Sequence, residues 1–201
     1  MLSNRITRIA LIGAAVAMAA CAKEKTTTTD SAAGAMTSPD STAMAKPAAP
    51  AMTDANIVAY LDEVNMADSA GGKLASTKGT SKAVRDFGLE MVKDNHTLRA
   101  AGQALAKKDS ITPAAAASDT TKQMAEHGMA AMTSMAKGAA WDKAYIDNEV
   151  AVHQSVLDNA KAAHDATQNA ELKALIEKAT PVVQHHLDKA KDIQKTLTPA
   201  T

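Results

Sequence analysis

The chain has 201 residues, with 22 basic and 22 acidic side chains that leave no formal net charge. A chain with this balance lacks the basic surface with which a nucleic-acid-binding protein holds phosphates, so no nucleic-acid partner is predicted. It also contains a single cysteine. Neither a disulfide within the chain nor a cysteine metal site can form, and apolar burial alone must stabilise the fold.

The N-terminal segment has the organisation of a bacterial secretory signal. Arg5 and Arg8 precede an apolar run over residues 9–20, and no acidic residue occurs before Glu24. The run is well short of the ~20 residues that a membrane-spanning helix needs. We therefore interpret residues 1–20 as a signal peptide rather than as a transmembrane anchor.

The end of this segment predicts lipidation. The junction Ala19-Ala20-Cys21 resembles a lipobox, with Met18 in a position where Leu is usual. The resemblance implies cleavage before Cys21 and attachment of lipid to its sulfur, and Ala22 resembles the pattern of lipoproteins sent to the outer membrane. Such a protein would be anchored in the outer membrane by its lipid and would face the periplasm; the sequence predicts no particular protein partner. The alternative is a signal peptide cut after an alanine, which would leave Cys21 as a free thiol.

The segment after the cysteine predicts a tether. Residues 22–53 are rich in Thr, Ser, Pro, Ala and Met and contain no periodic apolar face. This composition is typical of disordered chain, so residues 21–53 are interpreted as the lipidated cysteine and its flexible linker. A flexible chain of about 32 residues has a root-mean-square reach of roughly 30 Å.

Residues 54–197 form the predicted folded domain. They are rich in Ala and poor in aromatic residues and in β-branched runs, which predicts an all-α fold. The helices are predicted at residues 54–78, 81–108, 116–136, 139–166 and 169–196. Ser81 is expected to cap the second helix. Two αα-hairpins joined by a long crossover that holds the short third helix describe a ferritin-like four-helix bundle.

A polar residue is expected near the middle of the buried seam of each long helix. When the apolar positions are followed at alternating spacings of three and four, these residues are Asp68, Asn95, His153 and His186. At about 1.5 Å per residue, all four lie at similar depths, within about two helical turns of one another. Because an unpaired polar group in an apolar interior is unfavourable, we expect one interior polar cluster.

Two interpretations of this cluster remain open. In the first it is an iron, zinc or manganese site, because imidazoles and carboxylates suit these ions. Its ligands would be Asp68, Asp94, Glu149, His153 and His186. In the second it is a buried hydrogen-bond network in which carboxylates hold the two histidines. No Glu-x-x-His motif occurs in the domain, and Glu149-x-x-x-His153 is the nearest approach. Tyr145 is expected to donate its hydroxyl to the polar layer, and Asp142 to cap the fourth helix or to join the cluster.

Three blocks of sequence carry a resemblance to a known family. The blocks are Phe87-x-x-x-Met91-Val-x-Asp94-Asn-His96, Trp141-Asp-Lys-Ala-Tyr145-x-x-x-Glu-Val-x-Val-His153 and Pro181-Val-Val-x-x-His186-Leu. Over about residues 55–196 the chain resembles the "predicted outer membrane protein" family, domain of unknown function 4142. The resemblance implies a ferritin-like, bacterial, exported protein, and it implies no established biochemical activity.

The chain departs from the family pattern at the second helix. The family's Asp-His pair falls on Asp94 and Asn95, so an amide stands in place of an imidazole. His96 follows directly, but it points about 100° away around the helix. Trp141 replaces the usual Phe, and Asp68 lies where Glu is common. The change at Asn95 removes one ligand from any metal site that the resemblance implies.

The remaining motifs do not indicate a particular reaction. A methionine-rich set with one histidine on the third helix would suit Cu(I), or would serve as adaptable core filler. Its members are Met124, His127, Met129, Met132 and Met135. The sequence contains no recognisable catalytic triad or phosphate-binding loop. We therefore predict a non-catalytic envelope protein with a binding or stress-protective role, and as the alternative a periplasmic metal-binding protein or di-metal oxidase.

Overall fold

The computed structural model describes residues 52–197. The predicted signal peptide, Cys21 and the tether up to residue 51 lie outside this range. The described residues form five α-helices and no β-strand, which confirms the all-α prediction. The helices are α1 (Asp54–Lys78), α2 (Lys82–Lys108), α3 (Thr121–Ser134), α4 (Ala139–Ala166) and α5 (Ala170–Thr196).

The prediction for the third helix is wrong at both ends. The helix begins at Thr121, five residues later than predicted, and it ends at Ser134, two residues earlier. Asp119 explains the late start, because its Oδ1 accepts a hydrogen bond from the Thr121 backbone N–H at 2.8 Å. An acidic side chain that bonds the backbone two residues on favours a turn over continued helix.

The prediction that Ser81 caps α2 is confirmed in position but not in hydrogen bonding. Ser81 is the N-cap residue of α2, but its side chain makes no capping hydrogen bond. Asp142, near the start of α4, instead binds the two residues that precede α2. Its carboxylate accepts from the Thr80 backbone N–H at 2.8 Å, the Thr80 hydroxyl at 2.6 Å and the Ser81 backbone N–H at 2.6 Å. Asp142 therefore holds the α1–α2 turn against α4, and it neither caps α4 nor joins the polar cluster.

The helices pack as two antiparallel hairpins. In the first, α1 and α2 approach so closely that a Cβ added to Gly72 would lie 2.5 Å from the Gly88 carbonyl oxygen. Helices α4 and α5 form the second hairpin, and α2 packs on α5. The short α3 lies in the connection between the hairpins, packs on α1 and α4, and buries none of its residues.

The core has an apolar cluster on each side of a polar layer. One cluster is built around Phe87, Met91 and Trp141, and the other around Ile57, Leu172 and Ile176. Along α1, α2, α4 and α5 the buried polar residues other than Asp142 lie between the members of these two clusters. The sequence-based prediction that the polar residues share one depth agrees with this layering. No helix in the described range is both long enough and apolar enough to cross a bilayer.

Candidate functional site

His153 lies at the centre of the polar layer on α4. It is 1% exposed, and its Nδ1 lies 2.9 Å from the backbone carbonyl oxygen of Glu149, one turn earlier. We assign the Nδ1 proton from this contact, since the carbonyl can only accept. The other ring nitrogen, Nε2, then keeps its lone pair and lies 3.9 Å from Asp68 Oδ2. A histidine held in this way has the orientation that metal-ligating histidines use.

The two carboxyl groups beside His153 resist ionisation. Burial raises the pKa of Asp68 to about 6, against an opposing attraction from His153. Burial, followed by the negative charge of Asp68, raises the pKa of Glu149 well above its ordinary value. Burial, and for Glu149 also the repulsion from Asp68, therefore favours the protonated form of each carboxyl group.

Tyr145 lies beside Glu149 and stacks on Trp141, with ring centroids 5.5 Å apart and planes 9° from parallel. Burial, followed by the neighbouring Glu149 charge, raises the pKa of Tyr145 well above its ordinary value. Two buried atoms here have no hydrogen-bond partner among the described residues, the Tyr145 hydroxyl and Glu149 Oε2. The Tyr145 hydroxyl nevertheless adjoins the Glu149 carboxyl, and its interaction with that carboxyl lowers the pKa of Glu149 against the larger effect of burial, so Tyr145 lies at the polar layer as expected.

A second group of ligands surrounds His186 on α5. His186 is 1% exposed, and its Nε2 lies 3.1 Å from Asp94 Oδ2 on α2. Glu90 lies one turn before Asp94, and one ligand atom from each of these three residues lies within 4.8 Å of the others. Sequence analysis missed Glu90 because it lies outside the buried seam. The i, i+4 spacing of Glu90 and Asp94, which places both on one helix face, was the signal that could have found it.

Glu90 has two further partners on α5. His185 Nε2 lies 2.9 Å from Glu90 Oε1, and the Lys189 ammonium group pairs with Glu90 Oε2. Burial alone would raise the pKa of Glu90, but these hydrogen bonds hold it below its ordinary value. Burial lowers the pKa of His186, partly offset by its hydrogen bond with Asp94. At neutral pH Glu90 is therefore ionised and the His186 imidazole is neutral.

The single polar cluster that the sequence predicts is therefore divided into two groups, one around His153 and one around His186, with the two imidazole rings adjacent. The rings of His153 and His186 lie 5.5 Å apart in an edge-to-face arrangement. Asp68 and Glu149 flank His153 on one side, while Asp94 binds His186 on the other. The structure brings all five predicted ligands into one layer, and it divides them between two groups of carboxylates.

Three further residues considered in the sequence analysis contact neither the carboxyl groups beside His153 nor those beside His186. The Asn95 side chain is buried and donates to the Met91 carbonyl oxygen at 3.0 Å, so it satisfies its own helix. His96 is exposed, in agreement with its predicted direction. Asp142 belongs to the α1–α2 turn.

The methionine-rich set on α3 does not converge. Met132 and Met135 pack against the apolar core, whereas Met124 is 70% exposed and His127 is exposed as well. A Cu(I) site needs its thioether and imidazole ligands together. The structure therefore favours the alternative, in which part of the set fills space at the edge of the core.

Comparison with known proteins identifies a family whose function is unknown. The family model described as Domain of unknown function (DUF4142) matches residues 39–193. Neither the curated proteins nor the solved structures yield a match.

Proposed function

We propose that this chain, which belongs to the DUF4142 family, is a lipid-anchored protein of the bacterial envelope whose helical bundle binds one divalent transition-metal ion. The ligands are Glu90, Asp94 and His186, and the ion is iron, zinc or manganese. The proposal assigns a binding role and no reaction. The lipobox-like junction at Cys21 supports the anchoring, and the ligand geometry supports the binding.

The observation that carries the proposal is the convergence of three ligand atoms from two helices. Two carboxylates and one imidazole form a donor set that suits Fe, Zn and Mn. Two atoms that each lie about 2.1 Å from one ion, at right angles to each other, are roughly 3.0 Å apart. The separation of His186 Nε2 and Asp94 Oδ2 is 3.1 Å, so these two atoms already have the spacing of neighbouring ligands.

The protonation states favour a cation at this position. Metal binding needs neutral imidazole and ionised carboxylate, and the lowered pKa values of His186 and Glu90 provide both. Lys189 now neutralises Glu90. A bound dication would replace this ammonium group at the carboxylate, so Lys189 is expected to compete with the ion.

The second candidate is a structural network without an ion, and the partners of Glu90 favour it. His185 and Lys189 already satisfy the two oxygens of Glu90. These contacts, with the His186–Asp94 pair, join α2 of the first hairpin to α5 of the second. A di-metal centre would need Asp68, Glu149 and His153 as its second ligand set. Within residues 52–197 only the group around His186 has three ligand atoms that converge.

Melting curves with chelator and then with Zn(II), Mn(II) or Fe(II) test the proposal. The wild type should gain about 2.7 kcal/mol at a free metal concentration one hundred times the dissociation constant. Glu90→Gln should lose this gain, and Lys189→Met should bind the ion more tightly because the competing charge is gone. His164→Gln is the matched control, since His164 also pairs with a glutamate, Glu177, at 3.0 Å. If no metal raises the melting temperature of the wild type, the network without an ion is the correct function of these contacts.

A further inference from the structure

A cavity of about 400 Å³ lies between α1, α3 and α4. Its walls include Val64 and Leu74 from α1, Met129 and Met132 from α3, and Val152 and Val156 from α4. This volume falls within the range of small-molecule sites, which are mostly apolar with a few polar groups. None of the proposed metal ligands lines this cavity.

The side of the cavity toward the bundle core is acidic. Asp68, Tyr145 and Glu149 all line it, and each is at least nine-tenths buried. Two of their atoms, Glu149 Oε2 and the Tyr145 hydroxyl, have no hydrogen-bond partner among the described residues. Gly71 also lines the cavity, and a Cβ at that position would lie 3.7 Å from Glu149 Oε1. The absence of a side chain at Gly71 leaves the approach to the Glu149 carboxyl open.

We propose that this cavity binds a small amphiphilic organic cation, a primary amine whose ammonium group pairs with Glu149 and Asp68 and whose apolar body lies against the methionine and valine walls. The site is separate from the proposed metal site and does not depend on it. The lining contains two acidic side chains and no basic one. An occupant whose charge complements this lining is a cation.

The N–H donors of an ammonium group match the hydrogen-bond acceptors on the acidic side of the cavity. An ammonium group carries three N–H donors and no acceptor. Glu149, Asp68 and the Tyr145 hydroxyl provide acceptors for these donors on one side of the cavity. A buried carboxylate without a cation is unfavourable, and the raised pKa values of Asp68 and Glu149 express that penalty. A bound ammonium group would remove it.

The apolar walls argue for an organic cation rather than a bare ion. A metal ion fills a small fraction of 400 Å³ and gains nothing from valine and methionine side chains, whereas an alkyl body is stabilised by burial against them. Methionine is also well suited to adaptable apolar sites. Helix α3 covers the cavity while burying none of its own residues, so it is the element that would move to admit a ligand.

The experiment uses residues 21–201 with Cys21→Ser and measures binding by calorimetry. The probes are n-octylamine, 1-octanol with the same apolar body and no charge, and octanoate with the opposite charge. We expect the amine to bind at least tenfold more tightly than the alcohol, and octanoate to bind least. Glu149→Gln should reduce amine affinity at least tenfold and leave the alcohol unchanged, while the stabilisation by metal persists.

A second variant keeps the test independent of the buried charge. Gly128 on α3 lines the cavity, and a Cβ added there meets no atom within 4 Å, so Gly128→Leu should fill the cavity and block both amine and alcohol. Gly102→Leu in α2 is the matched control, because its added Cβ is equally free and Gly102 does not line this cavity. Equal binding of amine and alcohol, amine binding unchanged by Gly128→Leu, or no amine binding at all would each overturn the proposal.

Discussion

His153 and His186 lie next to each other in the bundle, yet their partners differ. His153 is held by a carbonyl of its own helix and faces Asp68, a carboxyl group that resists ionisation. His186 is held by Asp94, a half-buried carboxylate on another helix. A metal ion is therefore expected beside His186, while the ionisation of Asp68 makes the other side of the layer respond to pH.

Asp68 should make the stability of the domain pH-dependent. Its pKa is about 6 in the folded protein, against an ordinary value of 3.8 in the unfolded chain. The folded state then binds the proton more tightly, so the contribution of Asp68 to stability is greatest below pH 4 and falls as the pH rises to about 6. Relative to Asp68→Asn, the wild type should lose about 3 kcal/mol of unfolding free energy over this interval.

The measurement is urea unfolding of both proteins from pH 3.5 to pH 7.5. His153, Glu149 and Tyr145 face Asp68 in both proteins, so the difference between the two curves isolates its contribution and its coupling to them. Asp62 is the control of opposite sign, because its hydrogen bond with Arg99 lowers its pKa despite partial burial. The difference in unfolding free energy between Asp62→Asn and the wild type should disappear as the pH falls. A wild-type curve parallel to that of Asp68→Asn would contradict the account.

Asp142 should be among the most sensitive polar residues. It is 1% exposed and accepts hydrogen bonds from three donors of Thr80 and Ser81. Asp142→Ala leaves those donors without a partner and should cost about 2–4 kcal/mol, because hydrogen bonds to a charged group are strong. Ser81→Ala, which removes no capping bond, should change stability by less than about 0.5 kcal/mol. Equal losses in the two variants, measured by thermal unfolding, would show that Asp142 does not hold the α1–α2 turn.

Residue-level prediction succeeded where a position depends on its own helix. The seam spacing placed Asp68, His153 and His186 in one buried layer, because that spacing reports which face is inward. It missed Glu90, which lies beside the seam, and the role of Asp142, whose partner Thr80 is 62 residues away in the chain. Contacts between distant segments depend on how helices rotate and slide against each other, which a single sequence does not specify.

At the scale of elements, the first hairpin depends on a close contact between two helix backbones. A Cβ added at Gly72 would lie 2.5 Å from the Gly88 carbonyl oxygen and 2.8 Å from the Met91 Cβ. Backbone atoms cannot move away as a flexible side chain would, so Gly72→Ala must push α1 and α2 apart. We expect a loss of about 3 kcal/mol or more, at the upper end of overpacking effects.

Gly71 provides the matched control for this prediction. Its added Cβ would meet the Glu149 and Tyr145 side chains at 3.7 and 3.8 Å, which is ordinary van der Waals contact. Alanine is a better helix former than glycine by up to ~1 kcal/mol, so Gly71→Ala should be neutral or stabilising. Urea unfolding of the two variants separates the outcomes. If Gly72→Ala is as stable as Gly71→Ala, the helices are not in backbone contact.

Helix boundaries were predictable for the four helices that bury residues in the core. Helices α1, α2, α4 and α5 each begin and end within one residue of the prediction. Helix α3 was misjudged because none of its residues is buried. With no inward face, its extent is decided by local hydrogen bonds such as the one from Thr121 to Asp119.

At the scale of the whole molecule, one folded domain is combined with a predicted anchor. The family match covers residues 39–193, which includes nearly all of the helical domain. A tether of some thirty residues would let this domain act at a distance of roughly 30 Å from the membrane surface. The proposed cation sites would then be held close to the bilayer without being inserted into it.

The anchoring proposal predicts a change of location for a single substitution. Cys21→Ser removes the sulfur to which the lipid would be attached. The variant should fail lipoprotein processing and leave the outer-membrane fraction, with Ser38→Ala in the tether as the unaffected control. Cell fractionation followed by mass measurement of the mature chain decides the matter, and a wild-type chain found wholly soluble in the periplasm would refute the proposal.

The most direct test of the account is a count of bound metal. Residues 21–201 with Cys21→Ser, freed of metal by chelator and then dialysed against Zn(II), should retain close to one zinc ion per chain by elemental analysis. Asp94→Asn should retain almost none, because one of three ligands is lost. Asp188 is an exposed carboxylate on α5 that accepts a hydrogen bond from Gln184, and Asp188→Asn should retain as much zinc as the parent. Equal zinc in the Asp94→Asn variant and the parent, or none in either, would contradict the proposed site.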